Sequence, residues 1–356
     1  MKISIFEKYI PFTLQYGKAF NLPKSSFSIR AYPALLVLEK NKRCVLKLHW
    51  KFEGKVTDFS FTQDLEKGLL EVYVKTKKEC FSYRIASLNN EVVLTMLRCM
   101  EKGLGYKLGN VKKTCIRKET LVLSADKTAL CNPQEKLFLG NIKKQNVDKM
   151  SSRGDVIEIM PYIYQLAQWM PIYKEPISGS AIYAKKCLEA INKKDLILLD
   201  DELDSFFKCG FSSSLEPRLE DVDHANYVEA EKVSSKDQCL GLFATAKNLL
   251  RGLLFIQKEQ NLFFLPYLPK SFVFGKFLQL QTLNNEAIID LQWSKKKLFK
   301  VVLIANENVS FSIELQKELK SFRLKEGKKN LHKKAFSGKT YSFEKGKKYF
   351  FDHFQK

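Results

Sequence analysis

Carboxylates crowd one stretch of this sequence. Asp200, Asp201, Glu202 and Asp204 fall together, and Glu220, Asp221 and Asp223 follow beside His224. Glycoside cleavage uses paired carboxyls, one as acid and the other as base or nucleophile, held about 5–9.5 Å apart. Asp201 and Asp223 are the residues such a pair would use, although no position is assigned a catalytic role. Asp200 and Asp204 stand four apart, so one helix face carries both. An exposed acidic helix face followed by an acidic loop accounts for the same residues. Asp155 and Glu158 sit in what reads as a first helical turn, where negative charge complements the amide dipoles.

Two other clusters could bind a ligand. Tyr162, Tyr164, Trp169 and Tyr173 gather in a segment closing with Met170-Pro171, and their rings could form a sugar platform. Their helical spacing also suits core packing, the usual use of such large apolar areas. The basic run through Lys328, Lys329, Lys333 and Lys334 offers contacts for a polyanion, with Phe336, Tyr341 and Phe343 close enough in sequence to stack on bases. A solvated loop between strands is the plainer account of that run.

Other chemistries lack their pattern. Gly338-Lys339-Thr340 ends like a phosphate-binding loop, but the first glycine of that pattern falls on Lys333. His49, His224, His332 and His353 are scattered, and neither H-E-x-x-H nor G-x-S-x-G occurs. The eight cysteines form no C-x-x-C pair, so no metal and no cofactor is expected. Cysteines within apolar patterns, such as Cys99 and Cys239, read as buried thiols in a reducing compartment.

Net charge is +21, yet 51 of the 60 basic residues are lysine. Arginine supplies the planar fork that reads bases and phosphates, so this balance ranks nucleic acid below a general lysine bias. Residues 195–231 carry −9 and residues 293–356 carry +11. Attraction between these stretches within the fold would serve both. No apolar run approaches the ~20 residues that span a bilayer. Lys2 and Glu7 interrupt any leader, so a cytoplasmic protein is expected.

The elements that must position these residues come in blocks. Leu46, Leu48, Trp50 and Phe52 alternate with Lys47, His49 and Lys51, the period of a half-buried strand. Leu70, Val72 and Val74 repeat it, as do Phe81, Tyr83 and Ile85. Asn90 reads as the cap of a helix through Val93, Leu94, Leu97 and Met100 that stops at Gly103. Helices are predicted from Asp155 with Pro161 near the first turn, over 180–192, from Asp195 to about Phe207, and from the capping pattern Ser235-Lys236-Asp237-Gln238 to about Leu250. Strands are predicted at 121–124 and 136–139, and again at 253–257, 262–265, 287–293, 298–305 and 310–315. Grouped elements argue against a doubly wound parallel sheet. The expected class is α+β: a β-sandwich-like domain over 1–145, a short helical region over 146–250, and a basic antiparallel β-sandwich over 251–356.

Within residues 236–305 the order is helix, short strand, polar turn, Leu265-Pro266-Tyr267-Leu268-Pro269, Gly275, and a strand closing on Trp293. This stretch resembles the junction between barrel and carboxy-terminal sandwich in fucosidase-type glycoside hydrolases with an (α/α) barrel. The whole-chain order of sandwich, helices and sandwich is similar too. Lys276 to Thr282 replaces a glycine- and arginine-rich strand of that family, and residues 155–250 are too few for a barrel of paired helices. The resemblance therefore implies a reduced, non-hydrolytic relative: a carbohydrate-recognition or scaffold protein whose partner is a glycan or polyanion. A basic nucleic-acid-binding protein and a small glycan-active enzyme are the alternatives.

Overall fold

The computed structural model describes residues 4–9, 19–40, 43–65, 67–125, 135–140, 156–171, 173–211, 215–220 and 239–356. Two six-stranded antiparallel sheets form the amino-terminal part. One orders β1 (Ser4–Tyr9), β6 (Val56–Asp64), β7 (Leu69–Thr76), β8 (Cys80–Leu88), β9 (Glu91–Arg98) and β12 (Thr120–Ala125). The other orders β11 (Val111–Cys115), β10 (Leu104–Leu108), β5 (Arg43–Lys51), β4 (Leu35–Lys40), β3 (Phe27–Ala31) and β2 (Ala19–Asn21). Alternation makes the layers. In β5, Leu48 and Trp50 are buried while Lys47, His49 and Lys51 are exposed. Across the interior, the Trp50 ring lies 5.0 Å from Tyr83 and 5.9 Å from Phe81 of the other sheet. The two sheets thus share one core, with Phe59, Phe61, Val72, Val74 and Ile85 completing it.

The stretch after Asn90 is a strand, not the expected helix. Asn89 and Asn90 both take positive φ, 49° and 63°, and so turn the chain between the paired residues Leu88 and Glu91. Two left-handed residues in a row match the twist of a hairpin, and asparagine tolerates that conformation. Val92, Leu94 and Met96 then enter the sandwich core. The asparagine is a turn residue here rather than a cap.

Four helices occupy the described middle of the chain: α1 (Met160–Gln168), α2 (Ala181–Lys193), α3 (Leu196–Gly210) and α4 (Gly241–Leu254). Pro161 sits in the first turn of α1, where its missing N–H costs no helical bond. Asp195 caps α3, its Oδ1 accepting from the N–H groups of Ile197 and Leu198 at 3.0 Å each. Leu249, Leu250, Leu253 and Leu254 keep a helical burial rhythm, so α4 runs past the expected end at Leu250. Asp155 and the capping pattern at 235–238 lie outside the described residues.

The carboxy-terminal part has a seven-stranded and a four-stranded sheet. The larger orders β13 (Lys136–Leu139), β16 (Gly275–Gln281), β17 (Ala287–Ser294), β18 (Lys297–Ala305), β23 (Lys348–Gln355), β20 (Ser321–Glu326) and β21 (Lys329–Phe336). The smaller orders β14 (Phe255–Lys258), β15 (Asn261–Phe264), β19 (Val309–Glu314) and β22 (Lys339–Phe343), with β15 and β19 parallel and the other pairs antiparallel. Phe264 and Phe343 of the small sheet lie 6.2 and 6.1 Å from Phe351 of the large one, so the sheets face each other. Lys136–Leu139, expected in the first block, pairs with β16 and starts the carboxy-terminal sheet.

The helices share the carboxy-terminal core. Glu135, just before β13, ties the parts together. Its carboxylate accepts from Tyr164 Oη, from Arg251 Nε at 3.3 Å and from the Gln281 N–H at 3.2 Å, while Gln168 bonds both backbone groups of residue 135. Burial first, and the Glu135 charge second, push the Tyr164 hydroxyl well above the ordinary phenol range. Gly275 and Trp293 are paired across strands, and a Cβ on Gly275 would stand 2.3 Å from the indole. Leu265 takes φ 52°, and the N–H groups of Leu265 and Tyr267 cap carbonyls of Leu254 and Leu253 at the end of α4. Among the described residues no helix is long and apolar enough to cross a membrane.

Candidate anion-binding groove

Pleat alternation in the last strands puts cations and rings on the outer face of the large sheet. Leu324, Tyr349 and Phe351 point into the core. Their neighbours Arg323, Lys325, Lys348, Phe350 and Asp352 therefore point out, with Arg323 opposite Asp352 and Lys325 opposite Phe350. Phe350 is half-buried, and two ammonium groups flank it: Lys300 Nζ at 5.7 Å and Lys348 Nζ at 5.5 Å from the ring centre.

Three register shifts converge on this face. Gln292 pairs with Lys300 and Trp293 with Leu298, which leaves Phe299 as an extra residue, 64% exposed. Ser321 pairs with Gln355 and Arg323 with Asp352, so His353 and Phe354 oppose Phe322 alone; His353 takes φ 54°. Phe322 pairs with Ala335 and Leu324 with His332, so Lys333 and Lys334 oppose Arg323. A bulge re-aims the side chain it inserts, and these bulges supply Phe299, His353, Lys333 and Lys334. Phe299, Lys300, Lys325, Phe350, Asp352 and His353 line a groove of about 720 Å³. Arg323, Asn330, Lys333, Lys334 and His353 line an adjoining recess of about 350 Å³.

The one carboxylate in the groove lining is already engaged. Arg323 grips Asp352 through two bonds of 2.7 and 3.0 Å, and Lys325 adds a third at 3.2 Å. Hydrogen bonding from Arg323, then from Lys325, outweighs burial and holds that carboxyl far below its usual range. Arg323 Nη2 and Asp352 Oδ1 both lie within hydrogen-bonding distance of His353 Nδ1, at 2.8 and 3.1 Å. The surface is left with donors and aromatic faces in excess of acceptors.

The residues expected from sequence fare differently. Lys333 and Lys334 reach the recess, and Lys334 Nζ lies 5.6 Å from the ring of Phe336, which is 48% exposed. Lys328 and Lys329 are exposed at the turn and the start of β21. Phe343 is buried, and Tyr341 is half-buried with its ring 5.7 Å from Phe322 and 5.4 Å from His332.

The Tyr162–Trp169 cluster is not a platform. Tyr162 and Trp169 are 7% and 5% exposed, and Tyr173 is half-buried. Trp169 is wedged against the amino-terminal sandwich. The Lys24 N–H donates to its carbonyl at 2.7 Å, and a Cβ on Gly68 would stand 2.8 Å from the indole.

The acidic candidates divide as well. Asp200 accepts from Lys270 N–H, Ser271 N–H and Ser271 Oγ at 2.9, 3.2 and 2.6 Å, which fastens α3 to the loop after the Leu265–Pro269 string. Asp204 pairs with Lys208 at 2.6 Å. Asp201 is exposed on α3, and Asp223 and His224 lie outside the described residues. Among the described residues, no group of three or more His, Cys, Asp or Glu could hold a metal ion.

Phe299, Lys300, Arg323, Lys325, Phe350, Asp352 and His353 escaped the sequence reading. The alternation Lys348-Tyr349-Phe350-Phe351-Asp352 carried a signal for the outward set. Comparison with known proteins adds no assignment: no family model matches the chain, and no curated protein matches it.

Proposed function

We propose that this is a non-catalytic binding protein that holds a polyanionic chain on the outer face of its carboxy-terminal sheet. The observation that carries the reading is Phe350 flanked by Lys300 and Lys348 in an open groove whose carboxylate is neutralised. Cations attract the chain and exposed rings give it a surface to lie on. A binding role is supported by the work the carboxylates already do: Glu135 and Asp200 fasten elements, and Asp204 pairs with Lys208. The order of sandwich, helices and sandwich, similar to fucosidase-type glycoside hydrolases, supports a glycan as the second reading, and on this surface it would be an acidic one. The buried thiols of Cys115, Cys187, Cys209 and Cys239 support a reducing, cytoplasmic setting.

Reversing the two flanking charges, Lys300→Glu with Lys348→Glu, tests the site. Binding to fluorescent polyphosphate is expected to weaken at least about tenfold, with the fold intact by circular dichroism. Unchanged binding would remove this face from the function.

A further inference from the structure

The ligand chemistry of the groove is narrower than charge alone. We infer that its occupant is a single-stranded nucleic acid, with bases on the phenylalanine rings and phosphates on the lysines; this rests on the polyanion reading above.

Three observations distinguish it from other polyanions. First, the rings on this face are phenylalanines: Phe299 exposed and Phe350 half-buried in the groove, with Phe336 exposed beside the recess. Phenylalanine has a π face and no hydrogen-bonding edge, so it rewards a flat, apolar partner such as a base. Second, the surface is poor in acceptors. A sugar chain presents hydroxyl donors that need side-chain acceptors, yet Asp352 is held by Arg323 and Lys325. Phosphate oxygens need only donors, and Lys300, Lys348, Lys333 and Lys334 supply them along one face. Third, Phe299 is lifted out of the pleat by a bulge and stands 64% exposed beside Lys300. A duplex keeps its bases stacked inside and would meet that ring with its backbone. An unpaired strand can lay a base on it.

The affinity of the full-length protein for four fluorescein-labelled probes tests this by anisotropy: dT20, rU20, a 20-base-pair duplex, and a heparin oligosaccharide. Both single strands are expected to bind more tightly than the duplex and the heparin fragment. Phe299→Ala, whose side chain is exposed and outside the core, is expected to weaken dT20 about fivefold or more while leaving heparin binding within twofold. Phe350→Leu, which keeps apolar bulk and loses the aromatic face, should act in the same direction. Tighter binding of heparin or duplex, or equal effects of Phe299→Ala on strand and heparin, would overturn the single-strand assignment and leave the polyanion reading standing. Failure of all four probes to bind at low salt would overturn both.

Discussion

A tryptophan can be a binding surface or a wedge, and at Trp169 the difference lies in what approaches it. Gly68 sits at φ 71° against the indole, with no room for a Cβ. Gly68→Val is therefore expected to lower stability by at least about 2 kcal/mol, through both backbone strain and overpacking, as read by urea denaturation. Asp352 makes a different prediction. Its folded-state pKa lies below the unfolded value near ~3.9, so the stability it contributes is present above about pH 4 and is lost as pH falls toward the folded value. Asp352→Asn is expected to flatten the acid limb of the thermal midpoint against pH below about pH 4. The same variant should tighten polyanion binding, because Arg323 and Lys325 are released. A parallel acid limb in the variant would show that the carboxylate is not the titrating group.

At the scale of elements, Glu135 is the joint between α1, α4, β13 and β16. Glu135→Ala leaves the Tyr164 hydroxyl and the Arg251 guanidinium without it, and is expected to cost about 1–3 kcal/mol by chemical denaturation. A loss within about 0.3 kcal/mol would mean that the joint is carried by apolar packing alone. Much of the element pattern was legible in the chain. Period-two alternation marked β5, β7 and β8, and Asp195 marked the start of α3, because burial on one face and orphan amides act locally. The helix expected after Asn90 failed because one asparagine serves as cap or turn, and only pairing with β8 decides between them. The pairing of Lys136–Leu139 with β16 joins residues more than a hundred positions apart, and local pattern carries no trace of it. Of the groove and its recess, the expected residues were Lys333 and Lys334 of the recess, although the alternation over 348–352 carried the outward set of the groove. Phe299 and His353 face outward because of bulges, and a bulge exists only relative to a partner strand.

At the scale of the whole molecule, the expected attraction between the acidic middle and the basic tail involves Asp221, Asp223, Glu229 and Glu231, which lie outside the described residues. Asp200 spends its bonds on backbone amides and a hydroxyl of the 270–271 loop, and Asp204 pairs within its own helix. Ion pairs described for the tail close within it, as in Arg323–Asp352, Lys347–Glu326 and Lys356–Glu318. The outer face of the large sheet keeps a cationic excess, backed by a core that the helices share. Salt dependence tests this most directly. With Lys300, Lys348, Lys333 and Lys334 each meeting one phosphate of dT20, the logarithm of the association constant is expected to fall against that of salt concentration with a slope of about −3. Lys300→Glu with Lys348→Glu should roughly halve that slope. Affinity that is independent of salt, or a slope untouched by the double variant, would contradict the account.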